Sequence, residues 1–397
     1  MKKTVLRFMA CSDLHYKGPE CVTKKRFEEG LRQLYAYADK QEYPYVDAVY
    51  IVGDFTEDGE EEQMRLVKES LDYGLRPETV VNLSMASHEY HEPHGESGAR
   101  RQFDEIFRQP ADTHRVIRGF HFISVTTTDG CRFYKPQIDF AARELEVAHR
   151  DTPKAPIFFF QHPHLTDTVY GSIGWGKYDL NATLFNYPQI IDFSCHSHAP
   201  INDPRSIHQD HLTSVGTGSF RDLELDEFDK IYGTFPPGKD TAAQMQIVEA
   251  YDDGSVLIRP WDVISGRFFH KGWLIERPWD PDSFVYTRAK RIRAAENPFF
   301  PPDAELSAAQ TEEGFAVTFD HACGGAEDVN DYVVTVRKNG IVERRFVLWS
   351  PYYLVEHPER MHHVISPLSE GTYTVTVEAR GFWYNASENR LETDVTV

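Results

Sequence analysis

The chain has 397 residues, of which 41% are hydrophobic and 26% are charged, as expected for one large and one small folded domain. Its 62 acidic residues outnumber 42 basic ones, so the formal net charge is -20. This balance argues against binding to long nucleic acids, which needs clustered Lys and Arg. The five scattered cysteines predict free thiols in a reducing compartment, and no stretch reaches membrane-span length. We expect a cytoplasmic protein that does not bind a membrane.

The first half of the chain alternates apolar segments with amphipathic ones. Strand–helix alternation of this kind predicts an α/β fold in which helices cover a sheet. Sites in such folds form beyond the carboxyl ends of the strands. The predicted strands are 4–11, 46–52, 79–83, 115–118, 121–126, 156–161 and 190–194, and the predicted helices are 24–39, 60–73 and 138–150.

The pattern changes after residue 295. Three prolines between residues 298 and 302 mark a linker, because proline interrupts regular structure. Short alternating segments follow, separated by turn signals such as Asn339-Gly340. We therefore predict a first domain over 1–295 and a small all-β sandwich domain over 296–397. Its predicted strands are 316–319, 332–336, 344–348, 373–379 and 393–397.

Short His/Asp blocks follow the predicted strands of the first half. One intervening residue lets both side chains of a block such as Asp13-x-His15 emerge on the same side of an extended segment. Imidazole and carboxylate ligands together suit Mn, Fe, Zn or Ni. A centre of two such metals is a standard device for hydrolysing phosphate esters. In chain order the blocks are Asp13-x-His15, Gly53-Asp54, Ser87-His88-Glu89, His162-Pro163-His164 and His196-x-His198.

This order of blocks resembles that of the calcineurin-like metallophosphoesterases over about residues 4–220. The resemblance implies a two-sheet α/β sandwich with two divalent metal ions that hold a hydroxide between them. It also implies that His88 is the catalytic histidine and that Asp54 bridges the metals. By position, the remaining ligands it implies are Asp13, His15 and His198 for one metal, and His162 and His196 for the other.

The C-terminal segment 368–379 resembles the late strands of a fibronectin type III module. A phosphoesterase domain followed by such a module is similar to the purple acid phosphatases. Glu57 stands where their metal-binding tyrosine is expected, so the resemblance does not extend to an iron–tyrosinate site.

The sequence departs from the family pattern at two positions. Ser87 replaces the asparagine that ligates the second metal, and its hydroxyl is a shorter and weaker ligand. Cys195 replaces a glycine, and we interpret it as a small buried residue. Nearby His91 and His94, and the cluster His208, Asp210 and His211, are either compensating ligands or solvated loops, and we favour loops.

Substrate signals are few. Arg205 either binds a phosphate, which a guanidinium matches bidentately, or pairs with an aspartate to fix its loop. Tyr16 and Lys17 are candidates to line the mouth of the site. Tyr170 and Trp175 either stack on a substrate or pack within the protein, and we favour packing.

The sequence thus predicts a metallophosphoesterase, an enzyme that hydrolyses a small phosphomonoester or phosphodiester. The main alternative is a catalytically attenuated or inactive binding protein with the same fold, motivated by Ser87. A second alternative is an enzyme with one tight and one labile metal. A sandwich-led adhesion or carbohydrate-binding protein is disfavoured because export and disulfide signals are lacking. The sequence does not choose the substrate, the metal or the oligomeric state.

Overall fold

The computed structural model describes residues 2–91, 95–225, 229–311, 314–366 and 368–396. They divide into two compact units: Met1–Asp226 with Gly238–Thr287, and Glu227–Pro237 with Arg288–Val397. The second unit begins before the predicted linker because a helix at its start belongs to it. In that helix, the guanidinium of Arg291 lies 5.4 Å from the ring centroid of Trp383.

The first unit is built from two mixed sheets. In chain order its elements are β1 (Thr4–Cys11), α1 (Val22–Ala38), β2 (Ala48–Val52), α2 (Glu61–Gly74), β3 (Val80–Ser84), α3 (Gly95–Phe107), β4 (Thr113–Ile117), β5 (Phe120–Ser124), α4 (Lys135–Asp151), β6 (Ile157–Pro163), α5 (Ser172–Trp175), α6 (Asn181–Leu184), β7 (Ile190–Cys195), β8 (Ile207–Gln209), β9 (Thr213–Gly216), β10 (Gln244–Tyr251), β11 (Val256–Asp262), β12 (Arg267–Phe268) and β13 (Trp273–Ile275).

The first sheet has the strand order β12-β11-β10-β1-β2-β3, and β13 also pairs with β11. The second has the order β4-β5-β6-β7-β9-β8. The strands β1, β2 and β3 run parallel to one another, as do β5, β6, β7 and β9. Each set therefore brings the carboxyl ends of its strands to one edge of its sheet, where sites form in α/β folds.

The two sheets pack face to face around Phe8. Its ring centroid lies 5.1, 4.8 and 5.7 Å from those of Phe122, Phe158 and Phe193 of the second sheet. Helices α1, α2 and α3 cover the other face of the first sheet, and α4 covers the second. Strands buried on both faces read as continuous apolar runs, which explains the sequence pattern. This four-layer arrangement is the predicted two-sheet α/β sandwich.

The second unit is a small all-β sandwich, as predicted. A three-stranded sheet β14-β15-β18 and a four-stranded sheet β17-β16-β19-β20 share one core, in which Val317 and Phe319 meet Tyr332 and Val334. Its likeness to fibronectin type III stays a prediction. The elements are α7 (Arg288–Ala294), β14 (Leu306–Thr311), β15 (Gly314–Phe319), β16 (Asp331–Lys338), β17 (Ile341–Trp349), β18 (Met361–Ile365), β19 (Thr372–Arg380) and β20 (Leu391–Thr396).

A segment near residue 230 also belongs to the second unit, although the sequence analysis placed it in the first domain. The buried Lys230 ammonium lies 3.0 Å from Asp331 and 4.2 Å from the ring centroid of Trp349. The backbone N–H of Ile231 donates to Val347. The residues in these contacts are far apart in sequence, so no local pattern signals them.

None of the described helices has the length and hydropathy that a bilayer-spanning helix requires.

Candidate metal centre

The loop after β1 and the loop after β7 bring Asp13, His15 and His198 together. Their ligand atoms all lie within 4.8 Å of one another, and all three residues are buried. The Nε2 atoms of His15 and His198 lie 3.5 and 2.9 Å from Asp13 Oδ1. The loops are held by backbone bonds, since the N–H of Asp13 donates to Gly53 and that of His15 to Asp54. This trio coincides with one of the two ligand sets that the sequence resemblance implies.

In a second trio, Asp54 and His196 follow β2 and β7, and His162 lies at the carboxyl end of β6. The Nε2 of His162 lies 3.0 Å from Asp54 Oδ2 and 3.2 Å from the Nδ1 of His196. The Nδ1 of His162 lies 2.7 Å from the carbonyl oxygen of Val52. A carbonyl only accepts, so Nδ1 carries a proton and Nε2 is the nitrogen that faces the trio. A metal would bind through Nε2 while Nδ1 keeps its bond to Val52.

The two trios pass a test of fit for divalent cations. Both carboxylate oxygens of Asp13 and the Nε2 of His15 are buried and form no hydrogen bond of good geometry among the described residues. The close contacts of Asp13 Oδ1 are with the two histidines of its own trio. Burial lowers the pKa of His162, but the carboxylates of Asp54 and Asp13 outweigh it and raise this pKa to about 9. Unpaired buried polar atoms are costly, and here they belong to one converging set of acceptors. The donor set therefore suits cations that prefer nitrogen and oxygen ligands.

Five of the six predicted ligands adopt left-handed backbone conformations. The φ angles are 54° at Asp13, 44° at His15, 48° at Asp54, 74° at His196 and 50° at His198. This region disfavours residues with a Cβ and costs of order 1–2 kcal/mol each. The surrounding fold maintains strain at these positions, a pattern that points to a functional site.

The third loop places Ser87 and His88 over Asp54. The hydroxyl of Ser87 lies 3.1 and 2.9 Å from the two Asp54 oxygens and donates to this carboxylate, and the N–H of His88 donates to Oδ1 at 2.9 Å. The Nδ1 of His88 donates to the carbonyl of Glu57 at 2.6 Å, which leaves Nε2 available for proton transfer. The serine hydroxyl therefore contacts a predicted ligand, and its own metal binding stays a prediction.

Glu89 connects the loops after β2 and β3. Its buried carboxylate accepts backbone N–H groups from Asp54, Thr56 and Ala86, at 3.1, 2.9 and 2.8 Å. Burial, with a further contribution from the Asp54 carboxylate, raises the pKa of Glu89 to about 8. These contacts show that Glu89 supports the loop that carries Asp54.

Sequence reasoning missed Asp222 and Arg221, which follow β9. Asp222 Oδ1 accepts from the Nδ1 of His198 at 2.8 Å, while the opposite nitrogen of that ring faces Asp13. Carboxylates commonly orient metal-binding histidines in this way. Arg221 reaches Glu57 with an Nη1–Oε2 distance of 3.1 Å. Both residues lie far in sequence from the His/Asp blocks, so no motif spacing signals them.

Other candidate residues lie outside the two trios. His164 is a buried core residue whose nitrogens lie 2.9 and 2.7 Å from the hydroxyls of Ser194 and Ser197. The buried thiol of Cys195 donates to the carbonyl of Gly218, as expected of a small buried residue. Within the described part of the chain, the cluster His208, Asp210 and His211 contributes to no candidate metal trio. His91 packs against His88, with ring centroids 4.4 Å apart, and His94 lies outside the described residues.

Of the substrate candidates, Arg205 forms a forked pair with Asp203, with Nε–Oδ1 and Nη2–Oδ2 distances of 2.9 and 2.8 Å. Its guanidinium also lies 3.9 Å from the ring centroid of Tyr170. These contacts are those of the loop-fixing alternative, and a phosphate-binding role stays a prediction. Tyr16 is fully buried, so the expectation that it lines the mouth is wrong. Trp175 is 39% exposed, and its ring centroid lies 5.1 Å from that of His196.

The fold is similar to that of a purple acid phosphatase, PPD1 from yellow lupin (Lupinus luteus) seeds. The two chains are 17% identical, with a TM-score of 0.50, and the match covers 71% of this chain and 56% of that one. This chain thus spans just over half the length of that phosphatase. A phosphatase from Mycoplasma pneumoniae also matches, at 14% identity and a TM-score of 0.35, over 71% of this chain and 97% of that chain. No protein-family model and no curated protein sequence matches this chain.

Proposed function

We propose that this chain is a metal-dependent phosphoesterase acting on a small phosphate ester. The observation that carries the proposal is a pair of trios, Asp13–His15–His198 and Asp54–His162–His196, in which every side chain except the half-buried His196 is buried. Within each trio, the ligand atoms lie within 4.8 Å of one another. The buried Asp13 oxygens, which form no hydrogen bond of good geometry among the described residues and whose close contacts are His15 and His198, supply the second argument. The phosphatase-like fold supports the same chemistry, since such sites lie at the edge where these loops meet.

The chain's own residues would divide the work around the ester. Two divalent ions, when bound, would supply positive charge at the phosphoryl oxygens and lower the pKa of an attacking water. His88, fixed through Nδ1 by the Glu57 carbonyl, would pass a proton from Nε2 to the leaving alkoxide. Ser87 and the His88 N–H would hold the Asp54 carboxylate in place through their hydrogen bonds.

The proposed substrate is a small molecule rather than a long nucleic acid. The chain carries a net charge of -20, and a duplex requires many phosphate contacts from Lys and Arg.

The test is hydrolysis of p-nitrophenyl phosphate and bis-(p-nitrophenyl) phosphate across a Mn²⁺ titration, with metal content measured in parallel. Wild type should turn over at least one ester. Asp54→Ala should lose both bound metal and activity, because it removes a ligand of the second trio. Asp72→Ala, an exposed position on α2, is the matched control and should behave as wild type. Full activity in Asp54→Ala would refute the proposal.

A second candidate function is a binding protein that has lost catalysis. The hydrogen bonds from the Ser87 hydroxyl to both Asp54 oxygens favour it, because they engage the group that stands in place of an asparagine ligand. If this alternative holds, no ester is hydrolysed by wild type at any Mn²⁺ concentration, and Ser87→Asn gains activity. If the protein is instead a working phosphoesterase, Ser87→Asn lowers the Mn²⁺ concentration that gives the half-maximal rate.

A further inference from the structure

We infer that Lys17 and Arg221, both held by the carboxylate of Glu57, make this site selective for phosphomonoester dianions over phosphodiesters. The inference rests on the proposed function and specifies its substrate class. Neither cation belongs to the His/Asp blocks, and the tertiary structure alone brings them together.

The arrangement is a carboxylate between two cations. Glu57 Oε1 lies 3.2 Å from the Lys17 ammonium, and Oε2 lies 3.1 Å from Arg221 Nη1. The carboxylate of Glu57 is 15% exposed, whereas Arg221 and Lys17 are 36% and 61% exposed. Glu57 thus anchors the inner end of each ion pair, and both cations remain open to solvent.

This cationic pair borders the candidate metal centre directly. The Nδ1 of His15 lies 3.2 Å from Glu57 Oε2 and 3.4 Å from Arg221 Nη1. The carbonyl of the same glutamate orients His88, whose ring centroid lies 4.3 Å from that of His15. A phosphate placed between His15 and His88 would therefore lie beside the two cations.

The local charge is positive in a strongly acidic chain. Two cations and one carboxylate leave one net positive charge. Asp222, the next acidic group, lies 3.9 Å from Arg221 Nε, but its shorter contacts are with His198 at 2.8 Å and Lys239 at 3.3 Å. The Nη2 group of Arg221 also donates to no described residue, so part of its guanidinium fork is free for an anion.

Monoesters and diesters differ in negative charge and in the number of terminal oxygens, and the cations Lys17 and Arg221 would respond to both differences. A monoester has three terminal oxygens and approaches two negative charges near neutral pH. A diester has two terminal oxygens, one charge, and a second substituent in place of the third oxygen. If two terminal oxygens face the ligand trios, only a monoester keeps a third terminal oxygen for Arg221. The guanidinium would then gain a charge-assisted hydrogen bond that a diester lacks.

The test compares two non-hydrolysable ligands and two substrates in wild type, Arg221→Gln, Lys17→Gln and the control Arg32→Gln, an exposed position on α1. Calorimetry at pH 8 on Mn²⁺-loaded protein measures binding of phenylphosphonate, a dianion, and of its monomethyl ester, a monoanion. Parallel assays give kcat/KM for p-nitrophenyl phosphate and bis-(p-nitrophenyl) phosphate.

Wild type should prefer the dianion and the monoester. Loss of one charged hydrogen bond, worth about 1.5–3 kcal/mol, should lower dianion affinity by about 10- to 100-fold in Arg221→Gln. Affinity for the monoanion should change by less than about threefold. Lys17→Gln should show a smaller loss in the same direction, since its ammonium is more exposed. Metal content and Arg32→Gln should stay at wild-type values.

The possible failures are distinguishable. Equal loss for both ligands in Arg221→Gln, or a wild-type preference for the monoanion and the diester, would overturn the selectivity inference while leaving a phosphoesterase. Dianion selectivity that depends on Arg221, without hydrolysis of either ester, would uphold the recognition and refute the enzymatic function.

Discussion

Asp222 holds His198 by the nitrogen that faces away from Asp13. The carboxylate accepts from Nδ1 at 2.8 Å, and Lys239 lies 3.3 Å from its other oxygen. Burial lowers the pKa of His198, but the Asp13 and Asp222 carboxylates outweigh it and raise this pKa to about 10. At the scale of single residues, the first trio therefore depends on a group that is not itself a predicted ligand.

The first prediction concerns this outer carboxylate. Asp222→Asn should weaken Mn²⁺ binding by about 10- to 100-fold, because the neutral amide is a poorer acceptor and reduces the basicity of His198. Calorimetry of metal-free protein titrated with Mn²⁺ measures the effect. The exposed isosteric change Asp72→Asn provides the control. An unchanged affinity in Asp222→Asn would show that Asp222 does not support the ligand.

A pH prediction belongs to Asp192, which is buried in the second sheet and receives bonds from Gln161 at 3.3 and 3.4 Å. Burial raises the pKa of Asp192 to about 8, above the usual value of about 3.9. Between these values the folded state keeps a proton that the unfolded state releases. Stability from this group is therefore greatest at low pH and falls as pH rises toward 8.

Asp192→Asn should remove this dependence, because an amide cannot ionise. The free energy of unfolding of the variant should rise relative to wild type by about 1.4 kcal/mol per pH unit between about pH 5 and 8. Urea denaturation at several pH values measures the difference, with Asp72→Asn as the baseline. A constant difference across this range would contradict a raised pKa at Asp192.

At the scale of elements, the site depends on short loops that turn sharply just after parallel strands. Asp13, Asp54 and His196 follow β1, β2 and β7 with positive φ, and glycine would adopt these conformations without strain. The functional side chains occupy them at a cost in stability. Such a trade-off is common at functional sites, where strain is tolerated because the surrounding fold is rigid.

The strain leads to a prediction at His15, where φ is 44°. In metal-free protein, His15→Gly should be more stable than His15→Ala by about 1 kcal/mol, because glycine has no Cβ to clash in this region. Chemical denaturation in the presence of a chelator measures the free energy of unfolding of both variants. Lys40 is a turn position whose φ angle is not positive. There the alanine variant should be more stable than the glycine variant. A more stable alanine variant at position 15 would show that this backbone is not strained.

The predicted elements of the first unit agree closely with the structure where the apolar pattern is strong. The strand predicted over 4–11 is Thr4–Cys11, and the helix predicted over 24–39 is Val22–Ala38. The helix Gly95–Phe107, the short helices α5 and α6, and strands β8 to β13 were not predicted. Strands β14 and β18 of the second unit were also missed. Strand Leu306–Thr311 is largely exposed, so it lacks the apolar alternation by which a strand is recognised.

At the scale of the whole molecule, a cation should act as a ligand of the folded state. The trios exist only when loops from both sheets are in place, so metal binding and folding are coupled. A ligand present at 100 times its dissociation constant raises the free energy of unfolding by about 2.7 kcal/mol. We therefore expect excess Mn²⁺ to raise the Tm of wild type by about 5 °C.

Asp54→Asn should reduce this shift to a fraction of the wild-type value, because it removes a charged oxygen ligand from the second trio. Differential scanning fluorimetry with and without Mn²⁺ measures the shift, and chelator should reverse it. The Asp72→Asn control should respond as wild type. A full shift in Asp54→Asn would show that the second trio does not hold the stabilising metal.

The sequence by itself determined the fold class, and its His/Asp blocks contain the residues of both trios, which the family resemblance divides into two ligand sets. The signals are local: an apolar strand followed by a polar block recurs at every ligand-bearing loop. It did not determine the part of the site made by Glu57, Arg221 and Asp222, because these residues meet His15 and His198 only through long-range packing. The engagement of Arg205 with Asp203 was also undecided, since spacing does not fix which partner a guanidinium takes. Local periodicity encodes strands and loop ends, whereas contacts between distant segments depend on the packed sheets.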